Sequence, residues 1–156
     1  MNLSSVSLNM NCSRHLNKFL LHQEHLKELN LQNCKLYNQS ARYIIDALNR
    51  NCTIRHLYLA QNDFGSTIFE FGIKLGAMMT RHPTLLHANF SQCNLTRQET
   101  MFIVICMSTS KSFLSLHISK NELPYYERIF LRTIIAAKVV FNAKNFEKPT
   151  LNKDRN

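Results

Sequence analysis

Glycine is scarce in this chain, and so is acid. Only three of its 156 residues are glycine, too few to build a Gly-rich phosphate cradle, and no P-loop spelling occurs. G-x-S-x-G and H-E-x-x-H are absent as well, so the familiar hydrolase and zinc-protease signatures are missing. No stretch holds the roughly 18 uninterrupted apolar residues that a membrane span needs. Met1 to Asn11 alternates polar and apolar residues without a charged segment followed by an apolar run, and therefore does not read as a signal peptide. The five cysteines, Cys12, Cys34, Cys52, Cys93 and Cys106, are odd in number and contain no C-x-x-C pair, which argues against a disulfide framework or a zinc knuckle and for a reducing, intracellular setting.

Ten acidic residues face nineteen lysines and arginines, giving a net charge of +9 and a pI near 9.6. Such a surface is drawn to acidic partners of any kind. The charges are scattered, with no arginine-rich run and no aromatic stacking platform, so no specific nucleic acid and no membrane is expected as a partner.

What the chain does have is repetition. Leu26, Leu29, Leu31, Cys34 and Leu36 occupy the pattern L-x-x-L-x-L-x-x-C/N-x-L. It returns as Ile54, Leu57, Leu59, Asn62 and Phe64, as Leu85, Ala88, Phe90, Cys93 and Leu95, and as Phe113, Leu116, Ile118, Asn121 and Leu123. First positions are spaced by about 28, 31 and 28 residues, the period of a leucine-rich repeat. A fainter copy precedes them, with Leu3, Val6, Leu8 and Asn11 in the leading places and Ser13 where the last leucine belongs. The expected fold is therefore an α/β solenoid of about five repeats, a short arc with a parallel concave sheet and convex helices. The domain would cover residues 1–141, followed by a basic polar tail over 142–156 that includes Pro149.

Each copy predicts one short strand, because its fourth and sixth residues face inward while the third, fifth and seventh face outward. The ninth residue turns the chain inward, where buried backbone groups need a partner that asparagine can supply and where cysteine fits compactly. A helix then returns the chain to the next strand. Ala41, Ile44 and Leu48 form its apolar stripe, and Gly72, Leu75 and Met79, then Thr100, Ile103 and Met107, occupy the same places; Leu16 and Leu20 do so in the first unit. Thr96 with Glu99 makes a capping box for the helix after the third strand, and Pro124 stands in the first turn of the helix after the fourth. The extra residues of the second repeat predict a longer loop from Gly65 to Glu70.

The ninth-position alternation Asn11, Cys34, Asn62, Cys93, Asn121, together with Q-N-D-F-G and S-Q-C-N-L-T after two strands, resembles the ribonuclease-inhibitor type of leucine-rich repeat. That resemblance implies a right-handed horseshoe whose concave sheet grips protein partners. It implies no single activity, since inhibitors, GTPase activators, immune receptors, ubiquitin-ligase adaptors and ciliary scaffolds share the architecture.

On the concave face the third-position column reads Glu28, His56, His87 and Ser115, and the fifth-position column Asn30, Tyr58, Asn89 and His117. Arg55 and Lys27 lie in the adjoining second-position column. The partner-binding set expected here is Arg55, His56, Tyr58, His87, Asn89 and His117, with Tyr58 and Arg55 as anchors. Three neighbouring histidines are also a conceivable zinc site, but solvent-facing contact residues are the reading adopted, with no metal, no cofactor and no catalytic residue. His82 reads as a helix-terminal cap. From Tyr125 to Phe141 the chain is apolar almost all round, more than one sheet can cover, so Phe130 is added as a contact in a carboxy-terminal helix. The functional expectation is a non-enzymatic interaction module or scaffold subunit of a larger intracellular assembly, ciliary or cytoskeletal. The alternative is a regulator of an enzyme such as a small GTPase.

Overall fold

The computed structural model describes residues 1–65 and 70–124, and beyond them Tyr126, Glu127, Ile129, Phe130 and Thr133. Helices and strands alternate along the chain: α1 (Met10–Leu21), β1 (Glu28–Asn30), α2 (Asn38–Leu48), β2 (His56–Tyr58), α3 (Glu70–Arg81), β3 (His87–Asn89), α4 (Arg97–Thr109) and β4 (Ser115–His117). The strands form one parallel sheet in the order β1-β2-β3-β4, and the register pairs like position with like: Glu28 with His56, His56 with His87, His87 with Ser115. This is the α/β leucine-rich-repeat solenoid that the periodicity predicts.

The core lies between the sheet and the helices. Leu29, Leu57 and Ala88 from the strands are fully buried, as are Leu31, Leu59 and Phe90 two residues on. The helical stripe meets them: Leu20, Ile44, Leu48, Leu75, Met79, Ile103 and Met107 are buried, with Leu16 at the amino-terminal end. Leu116 is only half-buried, because β4 is the edge strand among the described residues. Caps set the helix starts. Asn9 accepts the backbone N–H of Cys12 at the start of α1, and Thr96 and Glu99 form the expected capping box on α4.

The faint first copy is in a different register from the one the spelling suggests. Leu3 donates its N–H to the Asn30 carbonyl as Leu31 does to Tyr58, and Ser5 to Gln32 as Asn33 does to Ala60. Ser5, like Asn33, Gln61, Gln92 and Lys120, has a positive φ. Leu3, Val6 and Leu8 are thus the sixth, ninth and eleventh residues of a repeat, equivalent to Leu31, Cys34 and Leu36. Asn11 and Ser13 belong to α1, and Val6 holds the ninth place. The cause is that L-x-x-L-x-L and L-x-x-C-x-L have the same 3-2 apolar spacing, so the pattern overlaps itself. Asn2 pairs with Asn30 as a single-residue parallel bridge, a remnant fifth strand.

Polar side chains tie successive repeats together inside this core. Asn62 Oδ1 accepts the backbone N–H of Cys34 and of Leu36, both at 3.0 Å, while its Nδ2 donates to the Leu31 and Leu59 carbonyls. Asn121 repeats the arrangement on Cys93, Leu95, Phe90 and Ile118. The cysteines are more than fillers. Cys34 donates its thiol to the Leu3 carbonyl at 3.0 Å and Cys93 to that of Leu59 at 3.2 Å. Burial pushes the Cys93 thiol up to about 12 and also raises Cys34, so both stay protonated donors.

A second series sits three residues before the first apolar position of three repeats. Asn51 Oδ1 accepts from Thr53 and Ile54, His82 Nδ1 from Leu85 at 3.1 Å, and Ser110 Oγ from Phe113. Asn51 Nδ2 also reaches back to the Leu20 and Gln23 carbonyls. The hydroxyls that follow reach back likewise: Thr53 to Leu26, Thr84 to Ile54 and Ser112 to His82. His82 is accordingly a buried cap.

The longer loop expected from Gly65 to Glu70 falls largely on residues 66–69, outside the described residues. At its start, a Cβ on Gly65 would lie 2.3 Å from the Asn94 carbonyl oxygen, so only glycine fits that approach. The tail expected over 142–156 also lies outside the described residues.

Candidate functional site

The strand register brings the sequence-predicted concave residues together. His56 and His87 are direct cross-strand partners, as are Tyr58 and Asn89, and Asn89 and His117. Their rings form a cluster around His87: 6.2 Å from its centroid to that of His56 at nearly a right angle, 5.4 Å to Tyr58 and 5.1 Å to His117. Edge-on packing of this kind fixes orientations that isolated surface rings would not hold. His56, Tyr58, His87 and Asn89 are half-buried, while His117 and Arg55 are exposed.

His87 is the best-anchored member. Its Nδ1 lies 2.6 Å from Ser115 Oγ, and a serine hydroxyl can donate to a neutral imidazole or accept from a charged one. Burial, with the neighbouring imidazoles of His117 and His56, holds its pKa below the usual histidine value. Asn30 and Asn89 turn their side-chain carbonyls back onto the backbone N–H of Gln32 and Ser91, both at 3.0 Å. Among the described residues, no group of three His, Cys, Asp or Glu side chains is arranged to hold a metal ion.

Backbone hydrogen bonds extend the face along its edge. Arg55 N donates to Lys27 O, Leu86 N to Arg55 O and Leu114 N to Leu86 O, which stacks the second-position residues Lys27, Arg55, Leu86 and Leu114 in one row. Lys27 and Arg55 are exposed, and Leu114 is 57% exposed. The two leucines extend the candidate surface beyond the expected set. Their signal was in the sequence, since they occupy the same repeat position as Arg55, but a leucine there is easily taken for core.

Phe130 does not join this face. It lies in the helical segment after β4, where Tyr126, Ile129 and Phe130 are 82%, 50% and 57% exposed. Glu127 in the same segment pairs with Arg97 at the start of α4. The remainder of the apolar run from Tyr125 to Phe141 lies outside the described residues. On the helical side, a polar cleft of about 570 Å³ between α1 and α2 is lined by Asn17, Tyr43, Asp46 and Arg50. Arg14 braces its margin, donating to the Tyr43 hydroxyl at 2.9 Å and lying over that ring. No helix among the described residues is long and apolar enough to cross a membrane.

No family model matches the chain. Among curated proteins it is similar to mouse NACHT, LRR and PYD domains-containing protein 4C, 29% identical over 126 residues, which cover 79% of this chain and 12% of that protein. It is also similar to human NACHT, LRR and PYD domains-containing protein 13, 29% identical over 99 residues, or 63% of this chain and 9% of the relative. The chain thus spans about a tenth of the length of the curated relatives it matches. Among solved structures it is similar to leiomodin-1 actin-binding site 2, with a TM-score of 0.75 at 15% identity over 93% of this chain and 83% of that one. The tropomodulin C-terminal domain of Caenorhabditis elegans gives 0.74 at 15% identity over 95% and 89%. At that identity the likeness is one of fold, and with the repeat-bearing curated relatives it identifies a leucine-rich-repeat-like solenoid.

Proposed function

We propose that the chain is a non-enzymatic protein–protein interaction module whose concave face carries the contact. The observation supporting this is the continuous cluster His56, Tyr58, His87 and His117 held on a four-stranded sheet, with Arg55 beside it. Aromatic and arginine side chains fixed on a rigid element lose little entropy when a partner docks. Repeats of the ribonuclease-inhibitor type, a scaffold role and an intracellular, cytoskeletal or ciliary setting belong to the same reading. The likeness in fold to leiomodin-1 actin-binding site 2 makes actin one partner worth assaying by co-sedimentation.

The deciding experiment identifies a partner by affinity isolation and then measures its affinity for surface variants. Tyr58→Ala and Arg55→Ala should each weaken binding about tenfold or more, the scale of an interface anchor, and Lys27→Ala less. Unchanged affinity in both, with loss on a helix-side change such as Ile105→Glu, would place the contact on the other face.

A further inference from the structure

The distribution of charge and apolar surface on the concave face says more about the partner than that it is a protein. This inference rests on the interaction-module reading above. In the second, third and fifth columns the only carboxylate is Glu28, on β1. Around His87 stand His56 and Tyr58 from β2 with Arg55 just before it, Asn89 on β3 itself, Ser115 and His117 from β4, and farther off Glu28 and Asn30 from β1 with Lys27 just before it. Toward β1 and β2 the outer row is cationic, with Lys27 and Arg55; toward β3 and β4 it is apolar, with Leu86 and the exposed Leu114.

We infer that the concave face takes an acidic amphipathic helix of a partner protein, its carboxylates over Lys27, Arg55 and the histidines and its apolar side chains over Leu86 and Leu114, with protons taken up by the histidine cluster on docking. Charge complementarity selects the occupant: a cationic row and three imidazoles with a single carboxylate in reach favour acid over base. The dimensions suit it. Four strands at about 4.8 Å spacing span about 14 Å, close to the roughly 10–12 Å diameter of a helix with its side chains, so a helix lying along the strands sets one flank over the cationic side and the other over the apolar side. Proton uptake follows from the geometry of the cluster. The His87 ring faces those of His56 and His117, and a docked carboxylate adds an opposite charge to that neighbourhood, which favours protonated rings; Ser115 can accept from the charged form of His87 without moving.

The probe is a synthetic amphipathic peptide of about three helical turns, glutamate on one face and leucine on the other, compared with its lysine-for-glutamate counterpart by fluorescence anisotropy between pH 5.5 and 8. The glutamate peptide should bind and the lysine peptide should not. Binding should tighten several-fold toward pH 5.5, the scale set by a histidine whose proton affinity rises about tenfold in the complex. Arg55→Glu and Leu114→Asp should each weaken it, and the His56→Gln/His87→Gln/His117→Gln variant, checked for its fold by circular dichroism, should keep binding but lose the pH dependence. Preference for the lysine peptide, indifference to Arg55→Glu, or an unchanged pH dependence in the triple variant would overturn the inference. If the glutamate peptide fails to bind while a native partner is still lost on Tyr58→Ala, the acidic-helix inference falls and the module reading stands; a native partner indifferent to every concave-face change removes the module reading itself.

Discussion

Asn62 holds four backbone groups belonging to two repeats, all of them on buried core residues. Replacing it with alanine leaves buried donors and acceptors unpaired at about 1–3 kcal/mol each, so Asn62→Ala should lower unfolding free energy by at least about 3 kcal/mol in a denaturant titration. Gly65 is constrained in a different way: a methyl group there would strike the rigid Asn94 carbonyl, and Gly65→Ala should cost about 1–3 kcal/mol by the same measurement. His82 carries a pH consequence. Burial lowers its pKa, so the folded state favours the neutral ring. Its contribution to stability is present above the unfolded histidine value of about 6.5 and is lost as pH falls through the depressed folded value. The melting temperature should drop between pH 7.5 and 5, and His82→Asn, which copies Asn51 in the equivalent place, should flatten that drop. An unaltered slope would show that other groups carry the acid sensitivity.

Elements inherit their stability from how completely each strand is covered. Leu57 on β2 has a strand on either side and is fully buried, so Leu57→Ala should cost roughly 2–5 kcal/mol in thermal or chemical unfolding. Leu116 holds the same repeat position on β4 but is half-buried, and Leu116→Ala should cost less. Equal losses would mean that β4 is covered as fully as β2. This gradient was not legible in the sequence, because a repeat spelling says which residues face inward and not how many neighbours a strand has. The spelling was sufficient for the four strands, their parallel order and the helical stripe, since those follow from a period that side-chain geometry cannot satisfy any other way. It failed at the first copy. There Leu3, Val6 and Leu8 fit two registers equally well, and the choice rests on backbone hydrogen bonds to Asn30, Gln32 and Cys34 that residue identity does not reveal. The concave columns were readable for the same reason as the strands. The ring cluster around His87 was readable only as proximity, because its tilts depend on Ser115 and on Tyr58 leaning across from β2.

At the scale of the whole molecule, Ile129 and Phe130 expose apolar surface on the helical segment after β4, whose Glu127 pairs with Arg97 of α4. If that surface is an assembly contact, Phe130→Asp should abolish association while leaving the melting temperature unchanged, because an unpaired charge is costly only where a partner excludes water. Co-purification at the yield of the unaltered protein would show that the surface is simply exposed. The interior polar bonds add a property of a different kind. Cys34, Asn62, Cys93 and Asn121 all direct their side chains toward the repeat that precedes them, and Asn51, Thr53, Thr84 and Ser112 do the same. Each unit therefore completes its hydrogen bonding only when its successor is in place, which gives the array a direction of dependence. A chain emerging from the ribosome would hold its newest finished-looking unit open until about 28 more residues had followed. Loosening that begins at the carboxy-terminal side strips these side-chain partners from the backbone of the unit before it, whereas loosening at the amino-terminal side leaves side-chain donors without acceptors, the Cys34 thiol losing Leu3 O and the Asn51 amide losing Leu20 O and Gln23 O, and takes the Met1 carbonyl from Asn30 N.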